Sequence, residues 1–297
     1  MRFITYIHNE KSHIGVLTND LSHVIPLDHI IKDSRLTTDM NNFICYATNE
    51  EHQIIRETLD TSCVYATLLT TVKVISPIPK PLHDILCVGV NYKAHLAEAS
   101  IALNDGKLNE IKKPVLFSKR AAFISGNDAY LDAAFSLDSD VDYESELAVI
   151  IGKGGKNISR DDALNHIWGY SVFNDFSSRT LQREYGQWFH GKSLDGYSSM
   201  GPCIITVDEF DINEPHEISS FVNGELRQQS TLKQMVNTIP EIIEAFSAGM
   251  TLEAGDIIAT GTPAGVGMGF DPPKFLVSGD TVICKIEGIG KLKTTIR

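Results

Sequence analysis

Glu144 and Glu146 stand two residues apart at the mouth of an apolar run, Asp142-Tyr143-Glu144-Ser145-Glu146-Leu147-Ala148-Val149-Ile150-Ile151. If that run is a strand, alternation of side chains sends both carboxylates to one face. Two like charges held side by side repel, and a hard divalent cation such as Mg²⁺, Mn²⁺ or Ca²⁺ between them removes the repulsion. The bland alternative is a solvated strand end, since a Glu-x-Glu pair often arises by chance. A second apolar run, over 169–174, ends in Asp175 and continues as Phe176-Ser177-Ser178-Arg179. Ligands collect at strand ends, so Asp175 is a candidate third carboxylate. Its competing role is to cap a short helix over 177–185. Three carboxylates, with water and substrate in the remaining positions, would make the open octahedral site that catalysis by a hard cation requires.

A third segment, Gly89-Val90-Asn91-Tyr92-Lys93-Ala94-His95-Leu96-Ala97-Glu98, reads as a strand running into a helix. The helix puts His95 and Glu98 on one face, three apart. A carboxylate beside an imidazole keeps it basic and oriented, as a water-activating general base needs, although most such pairs are plain surface contacts. Gly186-Gln187-Trp188-Phe189-His190-Gly191-Lys192-Ser193 matches GxxxxGK[ST] by letter. It fails as a phosphate loop, because Trp, Phe and His fill positions where small residues must let backbone amides face phosphate. Lys192 is left as a single cation near an acidic site, or simply a solvated lysine. The glycine-rich run over 259–267, holding Thr262, allows close backbone approach to a ligand, or is a structural turn; it lacks the GxGxxG spacing of a dinucleotide site.

The elements that must position these groups are mostly strands. Apolar or β-branched runs over 85–90, 114–118, 146–151, 170–174, 203–207, 256–259 and 281–287 predict strands, and Asn223-Gly224 predicts a two-residue hairpin. Helices are predicted over 91–100, over 161–166 with Ser159 as cap, and over 239–248 between Thr238 and Gly249. Three prolines in Pro77-Ile78-Pro79-Lys80-Pro81 mark a linker. Before it, runs over 2–7 and 13–17 predict a small sheet and 51–59 a weak helix. The expected division is therefore a small N-terminal α/β domain, 1–76, and a β-rich α+β catalytic domain, 77–297.

With 26 Lys+Arg against 38 Asp+Glu, the net charge of −12 and the lack of a basic cluster argue against nucleic acid. A composition 42% hydrophobic and 22% charged is that of a globular chain. No apolar stretch reaches membrane-spanning length and residues 1–7 lack export-signal features, so a cytoplasmic chain without a membrane partner is expected. Cys45, Cys63, Cys87, Cys203 and Cys284 are odd in number and widely spaced, which disfavours disulfides or a zinc site.

In this order the motifs GxNYxxHxxE, DxExEL, GYxxxND, QW…GKS, GTPxGVG and a final GD…IEGIG resemble those of the fumarylacetoacetate hydrolase family, from about residue 85 to the C-terminus. The whole chain resembles bacterial members with a small N-terminal domain. The resemblance implies a β-rich fold of mixed β-sandwich or β-roll type, a homodimer, and Mg²⁺ or Mn²⁺ on Glu144, Glu146 and Asp175. It implies that the His95–Glu98 helix is mobile and closes over substrate, that Lys192 is an active-site lysine, and that Arg179, Gln182 and Thr262 contact substrate. The animal founder has a further carboxylate ligand where Cys87, Val88 and Gly89 stand, so a more open metal is expected. The leading expectation is hydrolysis of a carbon–carbon bond in a β-diketo acid such as an acylpyruvate, by water activated at His95. An oxaloacetate decarboxylase or a dienedioate isomerase is the runner-up, and a non-catalytic binding protein a distant third.

Overall fold

The run that opens with Glu144 becomes the strand Ser145–Ile151, buried at every position, and the sheet grows outward from it. It pairs antiparallel with Ile167–Asp175 on one side and Ile257–Ala259 on the other. Described in this computed structural model are residues 1–59, 65–102 and 113–297; Cys63 falls outside them. The eleven-stranded sheet continues from Ile257–Ala259 through a parallel pairing to Ile85–Gly89 and then to the edge strand Val115–Lys119. In the other direction it runs from Ile167–Asp175 to Ser198–Thr206, then to Arg2–His8 and Lys11–Leu17. A second, five-stranded sheet holds the hairpin Glu217–Val222 and Glu225–Thr231, whose turn residues Asn223 and Gly224 both have positive φ, as a type I′ turn demands.

Period-two alternation divides the apolar residues of the central strand between two cores. Leu147, Val149 and Ile151 face one cluster, shared with the second sheet; Ala148 and Ile150 face another. Glu146 has the parity of Ala148 and Ile150, and Asp175 that of Phe173, which belongs to the same second cluster. The register Ser145↔Asn174 sets the start of one strand against the end of its neighbour, and the Asp175 amide donates to the Glu144 carbonyl at 2.9 Å. Strand alternation and the register of this strand pair together deliver all three acids to one place.

The expected small sheet at the N-terminus is present, and Arg2–His8 joins it to Ser198–Thr206 with Arg2 opposite Ile205. Two helical expectations are corrected. Residues 161–166 hold only a 3₁₀ turn, Ala163–His166, without a side-chain cap. The helix after Asp175 starts at Arg179 and is capped by Ser178, whose Oγ accepts from the Leu181 amide at 3.1 Å. Asp175 stays in its strand to the last residue, so its carboxylate is not used as a cap. The helix Ile239–Ser247 carries a capping box between Thr238 and Glu241.

Candidate active site

Among the described residues, Glu144, Glu146 and Asp175 form a buried group whose oxygens lie within 4.8 Å of one another. Cations surround it. Lys192 Nζ donates to Glu144 Oε2 at 2.8 Å and to Asp175 Oδ2 at 2.6 Å. Lys119 Nζ, fully buried, donates to Asp175 Oδ1 at 2.5 Å and to the carbonyls of Phe176 and Tyr197. Arg179 spans Asp142 Oδ2 at 2.9 Å through Nε and Glu144 Oε1 at 2.7 Å through Nη2. Four carboxylates against three cations leave one formal negative charge among buried side chains.

That excess falls on Glu146. It accepts from the Gly261 amide at 2.8 Å but has no ion-pair partner among the described residues, and burial, then Asp175 and Glu144, push its carboxyl well above the usual range. Burial would raise Glu144 too, but Lys192 and Arg179 outweigh it and hold that carboxyl well below the usual range. For Lys192, burial is overcome by Asp175 and Glu144, and the ammonium is held above its ordinary value. For Lys119 burial prevails over Asp175 and lowers it. A hard divalent cation fits: three convergent carboxylates supply the oxygens, and its charge would compensate the acid the lysines leave unpaired. The wall that could have added a ligand is Val88 and Gly89, with Cys87 buried behind.

Glu144, alone of the three acids, lines an open cavity of about 200 Å³, walled by Val88, Val90, Phe117, Trp188 and Met268. A Cβ on Gly89 would lie 2.3 Å from the Trp188 ring, so glycine there is what admits the indole. His95 lines the same cavity from the helix Lys93–Ala102. Its Nδ1 lies 2.8 Å from Glu98 Oε2. An ionised carboxylate only accepts, so Nδ1 carries the proton and Nε2 is left as the basic nitrogen. Glu98 is itself fixed by the Gly265 amide, which donates to Oε1 at 2.9 Å. The glycine-rich run thus serves the carboxylates through Gly261 and the dyad through Gly265.

A family model for the fumarylacetoacetate hydrolase C-terminal region matches residues 84–297. The chain belongs to that family. Oxaloacetate tautomerase YisK of Bacillus subtilis is 45% identical over 229 residues, 77% of this chain and 74% of the relative. The solved fumarylacetoacetate hydrolase of Exiguobacterium antarcticum superposes with a TM-score of 0.83 at 35% identity, covering 100% of this chain and 99% of that one. Maleylpyruvate hydrolase of Sphingobium, solved with manganese(II) and pyruvate, gives a TM-score of 0.76 at 27% identity, covering 100% and 98%. The chain is thus an enzyme of the fumarylacetoacetate hydrolase superfamily with a buried acidic group suited to a divalent metal. Among the described residues no helix is long and apolar enough to cross a membrane.

The structure brings His95, Glu144, Arg179, Gln182, Lys192 and Thr262 to the one cavity. Arg179 is committed to Asp142 and Glu144, and its Nη1 also donates to Gln182 Oε1 at 3.0 Å. Thr262 donates its hydroxyl to the Ser145 carbonyl at 2.9 Å and accepts from Gln228 Nε2 at 2.8 Å, so both hydrogen-bonding directions serve the scaffold. Two residues escaped the sequence reading. Lys119 was visible only as a charge closing an apolar run. Asp142 opens the DxExEL motif without metal-ligand spacing, yet accepts from Arg179, from the Gly267 amide at 2.6 Å and from the Met268 amide at 3.1 Å.

Proposed function

We propose that this site moves a proton on a short 2-oxo acid, interconverting the keto and enol forms of an oxaloacetate-like dicarboxylate with Mg²⁺ or Mn²⁺ bound. The observation that carries the reading is the His95–Glu98 dyad, whose imidazole, with Nε2 as its basic nitrogen, lines the same cavity as Glu144 of the acidic trio. A divalent cation on Glu144, Glu146 and Asp175 would supply Lewis-acid polarisation of the 2-oxo group and its carboxylate. His95 Nε2 takes the proton from the carbon next to the ketone, and Glu98 stabilises the imidazolium. His95 then returns the proton to the former ketone oxygen, so atoms and charge balance. Lys119, Lys192 and Arg179 offset the site's carboxylates and let an anionic substrate approach. The 45% identity to an oxaloacetate tautomerase supports this reaction over others of the family.

Hydrolysis of an acylpyruvate is the second reading, favoured by the same dyad, whose Nε2 suits a water as well as a carbon acid. One experiment separates the two. The Mn²⁺-loaded enzyme is given oxaloacetate, with keto–enol exchange followed, and separately acetylpyruvate, with release of pyruvate and acetate followed. Faster exchange than cleavage is expected; the reverse order selects hydrolysis. His95→Ala should bind Mn²⁺ normally and lose about 10²- to 10⁴-fold in exchange rate, whereas Glu144→Ala and Asp175→Ala should lose Mn²⁺ as well. Full exchange activity in His95→Ala overturns the assignment.

A further inference from the structure

We propose that Arg183 binds the remote carboxylate of the substrate and restricts the site to 2-oxo acids with a second anionic group. The inference rests on the functional reading above and adds the residue that selects among substrates. Three cations line the cavity: Arg179, Lys192 and Arg183. The first two are buried and bound to the site's own acids. Arg183 differs in both respects. Its side chain is 53% exposed, and its one ion pair among the described residues, to Asp140, uses Nη2 alone. Nε and Nη1 of the guanidinium stay available for a ligand.

The helix Arg179–Tyr185 fixes where that ligand group must be. Residues four apart share a helix face with an axial separation of about 6 Å. Arg179 touches Glu144 at one end of that interval, and the more exposed Arg183 stands at the other. A four-carbon 2-oxo dicarboxylate held at its 2-oxo end beside the acidic trio spans a comparable distance with its far carboxylate. Val90, Phe117, Trp188 and Met268 of the same lining offer no side-chain charge, so a carboxylate packed against them without Arg183 would be desolvated unpaired. Asp140 tethers the guanidinium of this cavity-lining residue through Nη2.

The test is binding to the Mn²⁺-loaded protein, wild type against Arg183→Gln, with two probes. Oxalate presents only the chelating end; difluorooxaloacetate keeps both ends and cannot enolise, so its binding is independent of turnover. Arg183→Gln is expected to weaken difluorooxaloacetate about 10- to 100-fold, the worth of charge-assisted hydrogen bonds to one carboxylate. Oxalate affinity should change less than about twofold, and Arg183→Lys should recover part of the loss. Equal weakening of both probes, or no weakening of difluorooxaloacetate, overturns the assignment. Keto–enol exchange, measured separately, decides the reaction, so the two proposals fail on different readouts.

Discussion

Asp142 shows how much of this site lies outside the atoms that would touch a metal. It is fully buried, it takes Arg179 Nε at 2.9 Å, and it receives two amides from the loop that carries Met268 into the cavity. Its charge divides the guanidinium between two acids, so Arg179 does not collapse onto Glu144. Asp142→Asn keeps an acceptor for the loop but removes that competing charge. Arg179 should then bind Glu144 more tightly and weaken Mn²⁺ about 10- to 100-fold, the usual cost of disturbing a residue that orients a metal ligand. Titration with Mn²⁺ followed by its electron spin resonance reads this directly. If Asp142 acts through Arg179, Asp142→Asn should add nothing in an Arg179→Lys background; an additive loss would make it a separate determinant.

At the scale of elements, the His95–Glu98 pair depends on how a helix meets a loop. The helix Lys93–Ala102 rests on the short turn Gly267–Gly269, and a Cβ on Gly269 would fall 1.9 Å from Glu98 Oε1. Gly269→Ala should therefore swing Glu98 off the Gly265 amide and off His95, lowering kcat at least about tenfold, a part of a general base's usual contribution. Mn²⁺ affinity should be unchanged, because no carboxylate of the trio is touched; a parallel loss of metal would refute the latch. A second junction fastens the proline-rich linker to the turn before Ile257–Ala259. His83 Nδ1 lies 2.7 Å from Asp256 Oδ1, with Glu253 at 3.5 Å from Nε2, and Asp256 raises the imidazole above its ordinary 6.5. A raised folded-state value means the contribution is complete below about pH 6.5 and fades as pH climbs through that value. With His83 half exposed, His83→Gln should cost under about 1 kcal/mol at pH 5.5 and nothing measurable near pH 9, by urea unfolding. An equal loss at both ends of the range would rule out the charge effect. These junctions mark what the sequence makes legible. Glu144 with Glu146, and His95 with Glu98, could be read because strand and helix periods act over two or three residues. Lys119 meets Asp175 across 56 positions and Asp142 meets Arg179 across 37, contacts that only the sheet order creates. Asp175 and Ser178 are both chemically good caps, and the choice fell to Ser178 because sheet pairing holds Asp175 extended, opposite Ser198.

Over the whole molecule, the proline-rich run at 77–81 marks a break in composition, while packing runs straight across it. Phe3, Val16, Ile25, Phe43 and Ile55 share one buried cluster with Ala148, Ile150, Phe173 and Met200, the same cluster that backs the acidic trio. Phe3, Phe43 and Trp168 pack ring against ring across the boundary. Removing residues 1–76 would bare the edge of Ser198–Thr206 and one side of that core, and an exposed edge with apolar surface beside it promotes aggregation. The intact chain should unfold in one cooperative transition, with tryptophan fluorescence and far-ultraviolet dichroism tracing coincident curves, since Trp168 sits at the shared boundary. Mn²⁺ should move that single midpoint upward, by an amount that grows with its concentration, because an ion held by the three acids would bind only their folded arrangement. Two separated transitions, with Mn²⁺ shifting one alone, would instead establish residues 1–76 as an independently folding unit.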